Sequence, residues 1–435
     1  MTDTDQTSSG LRARLVGSLP ATRASRIIAL NALVGSTGTG LFLAGSAIYF
    51  TRFADVSEPQ LGVVLAIAGA IGLATTVPIG RLGDRYGPRN VLVAAAVWRA
   101  AGYIAYLFIS GFTQFLVAAC LLYLVDRAGQ PLNQALVGRL ITGTERNRTM
   151  GFIRSLHNVG FTIGFGLAGI ALTVGTVEAF RLLFIGNALS FVVIALTLLR
   201  LPNVDVRVTD DSDKPEPVVP PIRDRSFVTV TLANGILFLH DAMLTVVLPL
   251  WVAEHTEAPI WMVTALVVTN TVLTIFCQVP VTRHIADPRS ARRSMWVSAC
   301  TLSAACGAFT VSGHTDGAIA TAVALFCALL LLTMAELLHS AASWEVSFAM
   351  SPIVGQGRYL AFYDLGFSAA EIIGPVVLLW LIAHAGPEGW LFVAAVLPLA
   401  ALISNLGSRH LPDTPTPDPA EAGQTSGSHP TPEDT

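Results

Sequence analysis

The sequence predicts an all-α membrane protein with twelve transmembrane helices in two pseudo-symmetric six-helix bundles. Three observations carry that prediction. Of 435 residues, 53% are hydrophobic and only 13% charged, whereas soluble domains carry about 25% charged residues. Apolar runs long enough to cross a bilayer recur along the chain, each needing roughly 20 residues for a core of about 30 Å. The cationic side chains fall on alternate connections between those runs. A formal net charge of −3 gives no basic field for nucleic acid, so no nucleic-acid partner is expected.

The elements follow in order. Residues 1–24 are polar, carry Arg12, Arg14 and Arg23, lack the apolar centre of a signal peptide, and read as a cytoplasmic tail. Runs at about 26–50, 59–80, 91–110, 114–138, 149–173 and 180–199 make an N-terminal bundle over 25–200. Residues 201–225, with Pro215, Pro217, Pro220 and Pro221, read as a cytoplasmic linker. Runs at about 227–252, 261–283, 294–312, 316–342, 359–384 and 388–407 make a C-terminal bundle over 226–410. The tenth either continues to Met350 or gives way to an amphipathic piece. Residues 411–435, rich in Pro, Thr, Asp and Glu, read as a disordered tail.

With both termini in the cytoplasm, 21 of the 26 Lys and Arg side chains fall in inside segments, against Arg52 and Arg181 outside. Arg99, Arg127 and Arg154 lie within spans. This is the positive-inside pattern, and an odd number of spans would scramble it. A multi-pass protein of the plasma or inner membrane is therefore expected. The halves also resemble each other. A shift of 210 residues places Asp126 on Glu336, Arg154 on Asp364 and Gly164 on Gly374. A shift of 202 places Pro78-Ile79-Gly80-Arg81 on Pro280-Val281-Thr282-Arg283. Such repeats mark duplicated six-helix units.

A charge inside the bilayer needs a partner, a cavity or a role. Asp126 and Arg127 lie near the middle of the fourth run, about 100° apart on the helix, and need not pair with each other. Arg154 and His157 share one face of the fifth run. His240-Asp241 sits among Ile236, Leu237, Phe238, Leu239, Met243 and Leu244; a carboxyl deprived of water suits a proton carrier, and a neighbouring imidazole can relay the proton. Glu336, Asp364 and Glu371 complete the set. Asp364 and Glu371, seven residues apart, share a face, and Arg99 lies within the third run. Tyr123 and Tyr363 are the aromatic candidates for a cavity wall. The five cysteines have irregular spacing in apolar runs and read as buried free thiols. No phosphate loop, nucleophile elbow or metal-ligand spacing is present, so neither enzymatic chemistry nor a cofactor or metal is expected.

The turn Gly80-Arg81-Leu82-Gly83-Asp84-Arg85-Tyr86-Gly87-Pro88-Arg89 joins the second and third runs. Gly80 and Gly83 permit close helix approach, and Gly87 permits the positive φ of a tight turn. Asp84 is suited to cap or pair with a neighbouring helix end. Arg85 and Arg89 are suited to loop carboxylates or anionic lipid headgroups. The turn resembles the Gly-x-x-x-Asp-Arg-x-Gly-Arg-Arg/Lys loop of the major facilitator superfamily and departs from it at Pro88. Leu124, Arg127 and Gln130 resemble the Leu-x-x-Arg-x-x-Gln-Gly motif of that superfamily's drug-exporter branch, with Pro131 in place of glycine. Gly160, Gly164, Gly166 and Gly169 resemble the exporters' glycine-rich fifth helix without its Gly-Pro, and the first run lacks the acid that exporters often carry there.

The resemblance implies the superfamily's fold and secondary active transport of a small molecule by alternating access, with protons as coupling ions, membrane lipid around a monomer, and no cofactor. The exporter branch implies multidrug antiport: proton-coupled efflux of an amphipathic drug or metabolite. Alternatives are proton-coupled uptake of an organic anion or sugar-like solute, or a non-transporting receptor. Gly80, Gly83, Asp84, Arg85, Gly87 and Arg89 become the expected cytoplasmic gate. Asp126, Arg127, Arg154, His157, His240, Asp241, Glu336, Asp364 and Glu371 become the expected coupling and substrate residues. The resemblance implies that Arg127 faces the central cavity, the other reading being a static pair between helices. It also implies that Asp364 lies opposite Arg154, and that Arg99, on a peripheral third helix, pairs structurally.

Overall fold

The computed structural model describes residues 22–202 and 219–411, apart from 260, 286 and 353. Most of the expected tails, 1–24 and 411–435, and of the linker, 201–225, lies outside the described residues. Eleven helical stretches are long and apolar enough to cross a membrane. The last, Gln356–Gly407, has 52 residues; at 1.5 Å per residue it would run about 78 Å, far beyond one crossing. It folds back at Gly386–Glu388. Gly389 then lies against Leu381, and Gly407 against Ser226 and Val230. The chain is thus a multi-pass membrane protein of twelve helices.

In the N-terminal half these are α1 Arg23–Phe53, α2 Glu58–Tyr86, α3 Pro88–Ala105, α4 Phe112–Leu140, α5 Gly143–Val174 and α6 Val177–Leu198. In the C-terminal half they are α7 Arg225–His255, α8 Trp261–Thr282, α9 Pro288–Ser312, α10 Ala318–Met350, α11 Gln356–Ala385 and α12 Gly389–Gly407. Local chemistry sets several starts. Thr22 with Ser25, and Asp287 with Ser290, form reciprocal capping boxes, each occupying backbone donors that the first turn leaves unpaired. Asp224 accepts from Phe227 N–H at the start of α7. The tenth helix runs unbroken to Met350.

Two helices are interrupted where they carry mid-span charge. α4 breaks at Arg127–Ala128. Pro131, four residues on, has no N–H for the Arg127 carbonyl, and its ring crowds that oxygen. α7 tightens at Phe238, whose carbonyl accepts from Asp241 N–H at 3.0 Å, and widens into a π turn at Met243–Val247. Pro249 cannot bond the Thr245 carbonyl there.

Helix packing repeats across the halves. α1 packs on α5 and α6, α2 on α4, and α3 on α6; six helices later, α7 packs on α11 and α12, α8 on α10, and α9 on α12. The cross-bundle contacts are images too: α2 meets α11, and α8 meets α5. Close approach of α1 and α5 relies on small residues, since a Cβ at Gly160 would lie 2.5 Å from the Leu33 carbonyl oxygen. Each half has its own core. One holds Phe50, Phe115 and Phe184; the other holds Trp251, Phe309 and Trp390. All five cysteines are unpaired, though only Cys306 is buried.

The bundles touch at one end, the end that carries Arg81, Arg85, Arg89, Arg139 and Arg146. Among the described residues, no cross-bundle hydrogen bond or ion pair lies beyond the level of Arg127 and Arg154. Toward the arginine-poor end a Cβ added at Gly62, Gly69 or Gly169 would meet nothing within 4 Å. The molecule is therefore closed at its arginine-rich end and parted at the other.

Candidate functional site

The closed end is built on backbone contact. A Cβ on Gly80 of α2 would lie 2.7 Å from the Gly357 carbonyl oxygen and 2.8 Å from Ala361 Cβ of α11, so only glycine lets the helices meet this closely. The contact carries Asp84 to the start of α11. Its Oδ1 accepts from Gly357 N–H at 2.7 Å and its Oδ2 from Arg358 N–H at 3.1 Å. A carboxylate thus caps a helix N-terminus, where the dipole and free donors favour negative charge. Arg139 of α4 lies 3.7 Å from Asp84. Gly83 faces Leu132, and Gly87, at φ 84°, ends α2 and begins α3. Arg89 donates to the carbonyls of Leu198 at 3.0 Å and Leu199 at 2.6 Å, covering the end of α6. Arg85 lies over Tyr86 beside a cleft of about 350 Å³ that also borders Arg81, Asp84, Arg139 and Arg358.

A second contact at this end involves residues the sequence did not mark. Glu345 of α10, 2% exposed, accepts from Arg146 Nη2 and Asn147 Nδ2 of α5, both at 2.8 Å. Asn147 also donates to the Ile285 carbonyl past the end of α8, at 2.6 Å. Gln134 of α4 donates to Ser347 Oγ of α10 at 2.6 Å.

Deeper in, where the bundles part, two ion pairs cross the interface. Arg127 of α4 meets Glu371 of α11 at 2.5 Å. Arg154 of α5 pairs with Glu336 of α10, whose other oxygen accepts from Asn270 of α8 at 3.0 Å. The two contacts join corresponding helix pairs of the repeat, α4 with α11 and α10 with α5, and the N-terminal bundle supplies both arginines. Arg154 therefore meets Glu336 rather than the expected Asp364, because α5 faces α8 and α10 while α11 turns its acids toward α4. Asp364 stands within electrostatic reach of Arg127 and Glu371, and Asp241 of Arg154, Glu336 and Glu371. Neither aspartate has an ion-pair partner within 4.0 Å among the described residues.

The other candidates are placed as follows. Asp126 points back into its own bundle and pairs with Arg99 of α3 at 2.5 Å; Arg99 also lies 4.0 Å from the centre of the Phe191 ring. The break in α4 thus sends adjacent charges to different helices. His157 begins a ring column on α5, 4.7 Å from Phe161, which stacks on Phe165 at 5.9 Å. Tyr123 lies with Arg127 against Gly72 of α2. Tyr363 is not on the cavity wall in this conformation: it is buried in the C-terminal core and accepts from Ser343 Oγ at 3.3 Å. One helix step, about 100°, turns it away from the face of Asp364.

His240 opens a further polar chain that the sequence did not reveal. Its Nε2 lies 3.1 Å from Nδ1 of His339 on α10, and His339 Nε2 lies 3.0 Å from Asn234 Oδ1 on α7. His339 is fully buried and follows Glu336 by three residues, on the same side of α10. Spacing from Glu336 was the available signal, but a histidine in an apolar run looks like any buried polar residue.

Two pseudo-symmetric helical bundles, parted around paired charges and locked at one end, define a membrane carrier. The chain belongs to the major facilitator superfamily: the model of that family matches residues 28–352. It therefore carries out secondary transport of a small solute. Among its relatives, the MFS-type transporter YdeE of Escherichia coli is 19% identical over 88% of this chain and 94% of its own length. The multidrug resistance protein MdtH of Escherichia coli is 23% identical over 79% and 85%. A bacterial homologue of the iron transporter ferroportin, crystallised in an outward-facing state, matches with a TM-score of 0.68 at 16% identity, covering 89% of this chain and 99% of that one. The proton:xylose symporter XylE matches with a TM-score of 0.68 at 12% identity, covering 90% and 96%.

Proposed function

We propose that the chain is a proton-coupled exporter of small amphipathic solutes. It works as a monomer in the plasma or inner membrane, with the arginine-rich face and both termini in the cytoplasm. Residues 25–200 and 226–410 are the two moving bodies, and 201–225 tethers them. The observation that carries this reading is the set of four carboxyls, Asp241, Glu336, Asp364 and Glu371, gathered around Arg127 and Arg154 where the bundles part. A fixed lock needs only the two paired acids. The surplus carboxyls give protons a place to bind, and the rings of Phe161, Phe165, Phe238 and Phe367 give an apolar solute a surface. In the mouth-open state a proton from outside discharges an acid and loosens an inter-bundle pair. The bundles rock, the arginine-rich end opens, and solute binding at the same groups displaces the proton. The name of MdtH, and Leu124, Arg127 and Gln130 on α4, support export.

A second reading, uptake of an organic anion, is favoured by the two arginines, which would then hold the solute's carboxylate. A relative described as a probable 4-methylmuconolactone transporter of Cupriavidus pinatubonensis is 27% identical, over 27% of each chain. Proteoliposomes with an imposed pH gradient separate the two, with ethidium, tetraphenylphosphonium, benzoate and xylose as probes. Export predicts ethidium or tetraphenylphosphonium moving against the proton flow, with at least a roughly tenfold loss in Glu336→Gln and Glu371→Gln. Benzoate or xylose moving with the protons would establish uptake instead. Proton-driven flux unaltered in both variants would remove the site.

A further inference from the structure

We infer that the buried pair His240–His339 holds the coupling proton and that its charge decides whether Glu336 grips Arg154. The inference rests on the proton-coupled reading above and assigns its proton to a particular place. With Asn234 presenting its Oδ1 to His339, the tautomers follow. Asn234 Oδ1 can only accept, so His339 Nε2, 3.0 Å away, carries a hydrogen. The Nδ1 of neutral His339 is then a bare acceptor, and the hydrogen in the 3.1 Å contact belongs to His240 Nε2. His240 Nδ1 remains as the basic nitrogen at the outer end of the chain.

A proton from cavity water adds to His240 Nδ1, and the hydrogen on His240 Nε2 passes to His339 Nδ1. One proton enters and one moves along an existing bond. His240 is again neutral, now as its other tautomer, and His339 is an imidazolium still donating to Asn234. The positive charge now sits one helical turn from Glu336. It offsets the carboxylate that holds Arg154 and repels the guanidinium itself, so the inter-bundle pair weakens. Around the two rings stand Arg154 of α5 and Glu336 of α10; Asp241 follows His240 on α7 and is reached by Arg154, Glu336 and Glu371 of α11, and His157 of α5 lies within reach of Arg154. From α8 comes only the neutral Asn270, bonded to Glu336, and Phe238 covers His339 with ring centres 4.6 Å apart. A chain that only packed would gain little from two imidazoles closed off by Asn234, whose Nδ2 has no partner among the described residues.

The test uses the full chain in lipid nanodiscs, with the five native cysteines replaced and spin labels at Gly62→Cys on α2 and Ala383→Cys on α11. Both positions lie at the parted end and are exposed. Pulsed electron resonance measures the label separation between about pH 5 and 9. In the parent protein the short-distance population should grow as pH falls. In His339→Gln the response should flatten, or its midpoint should move by more than about one pH unit; His240→Gln should do the same from the cavity side. A His339→Gln protein with an unchanged melting temperature and the parental response would overturn the inference. So would a response lost in Asp241→Asn but kept in both histidine variants; the proton would then ride on the carboxyl, and the proton-coupled reading would stand. A parent protein indifferent to pH would sink both.

Discussion

Glu345 shows what one side chain can hold. It is nearly sealed from solvent, yet it takes charged hydrogen bonds from Arg146 and Asn147 of the opposite bundle. A hydrogen bond to a charged group is worth about 1.5–3 kcal/mol. Glu345→Gln should therefore weaken closure of the arginine-rich end by about 2–3 kcal/mol, moving the balance between states roughly 30- to 150-fold. A cysteine at Phe165, which is 48% exposed on the Arg154 face of α5, reports that balance. Its labelling by an impermeant maleimide from the arginine-poor side should slow at least about tenfold, and an unchanged rate would remove Glu345 from the lock. Nothing in the sequence marks this residue, because a carboxylate beside Trp344 at the expected end of a run says nothing of partners nearly 200 positions away. Arg127 and Arg154 were legible for the opposite reason. A guanidinium in mid-bilayer must find an acid, so their importance could be read, though not which acid each one meets.

At the level of elements, the kink in α4 separates two tasks. Asp126 turns inward to Arg99 and Arg127 turns outward to Glu371, adjacent positions about 100° apart at the turn where Pro131 leaves the Arg127 carbonyl without its helix partner. Pro131→Ala restores the missing N–H and should straighten the helix. The melting temperature should stay level or rise, since proline in a helix interior costs about 3 kcal/mol, while exchange of a transported probe should fall about tenfold as Arg127 rotates off Glu371. Undiminished exchange in a protein shown to be straightened would mean that the kink positions nothing. The helices themselves were legible, because twenty apolar side chains in a row leave lipid few alternatives, but polar turns extend them: α2 runs on to Tyr86, α5 starts at Gly143 and α9 at Pro288, each six residues past the expected end. The interruptions were not. Pro131 stood out only as a departure from a motif, and the π turn before Pro249 follows from backbone chemistry that hydropathy ignores.

For the whole molecule, closure at one end and parting at the other fix the stage of the cycle. The repeat was visible in the sequence as acids and arginines falling on one another, but the conformational state was not, since both states bury the same helices. Cysteines at Gln134 and Ser347, whose side chains bond across the interface at 2.6 Å, should be joined by a short dithiol reagent. The joined protein should keep its mouth open, lose transport and regain it on reduction; transport at full rate while joined would show that this end need not separate. The core of each half is closed within itself, and the third cluster draws only Phe348 and Leu360 across the divide as fully buried members. Uncovering two such side chains costs about 3–6 kcal/mol, and the glycine contacts of α2 and α11 add no hydrocarbon to that sum. The closed end is thus held by backbone and salt more than by grease, so the halves can part without either opening its own heart.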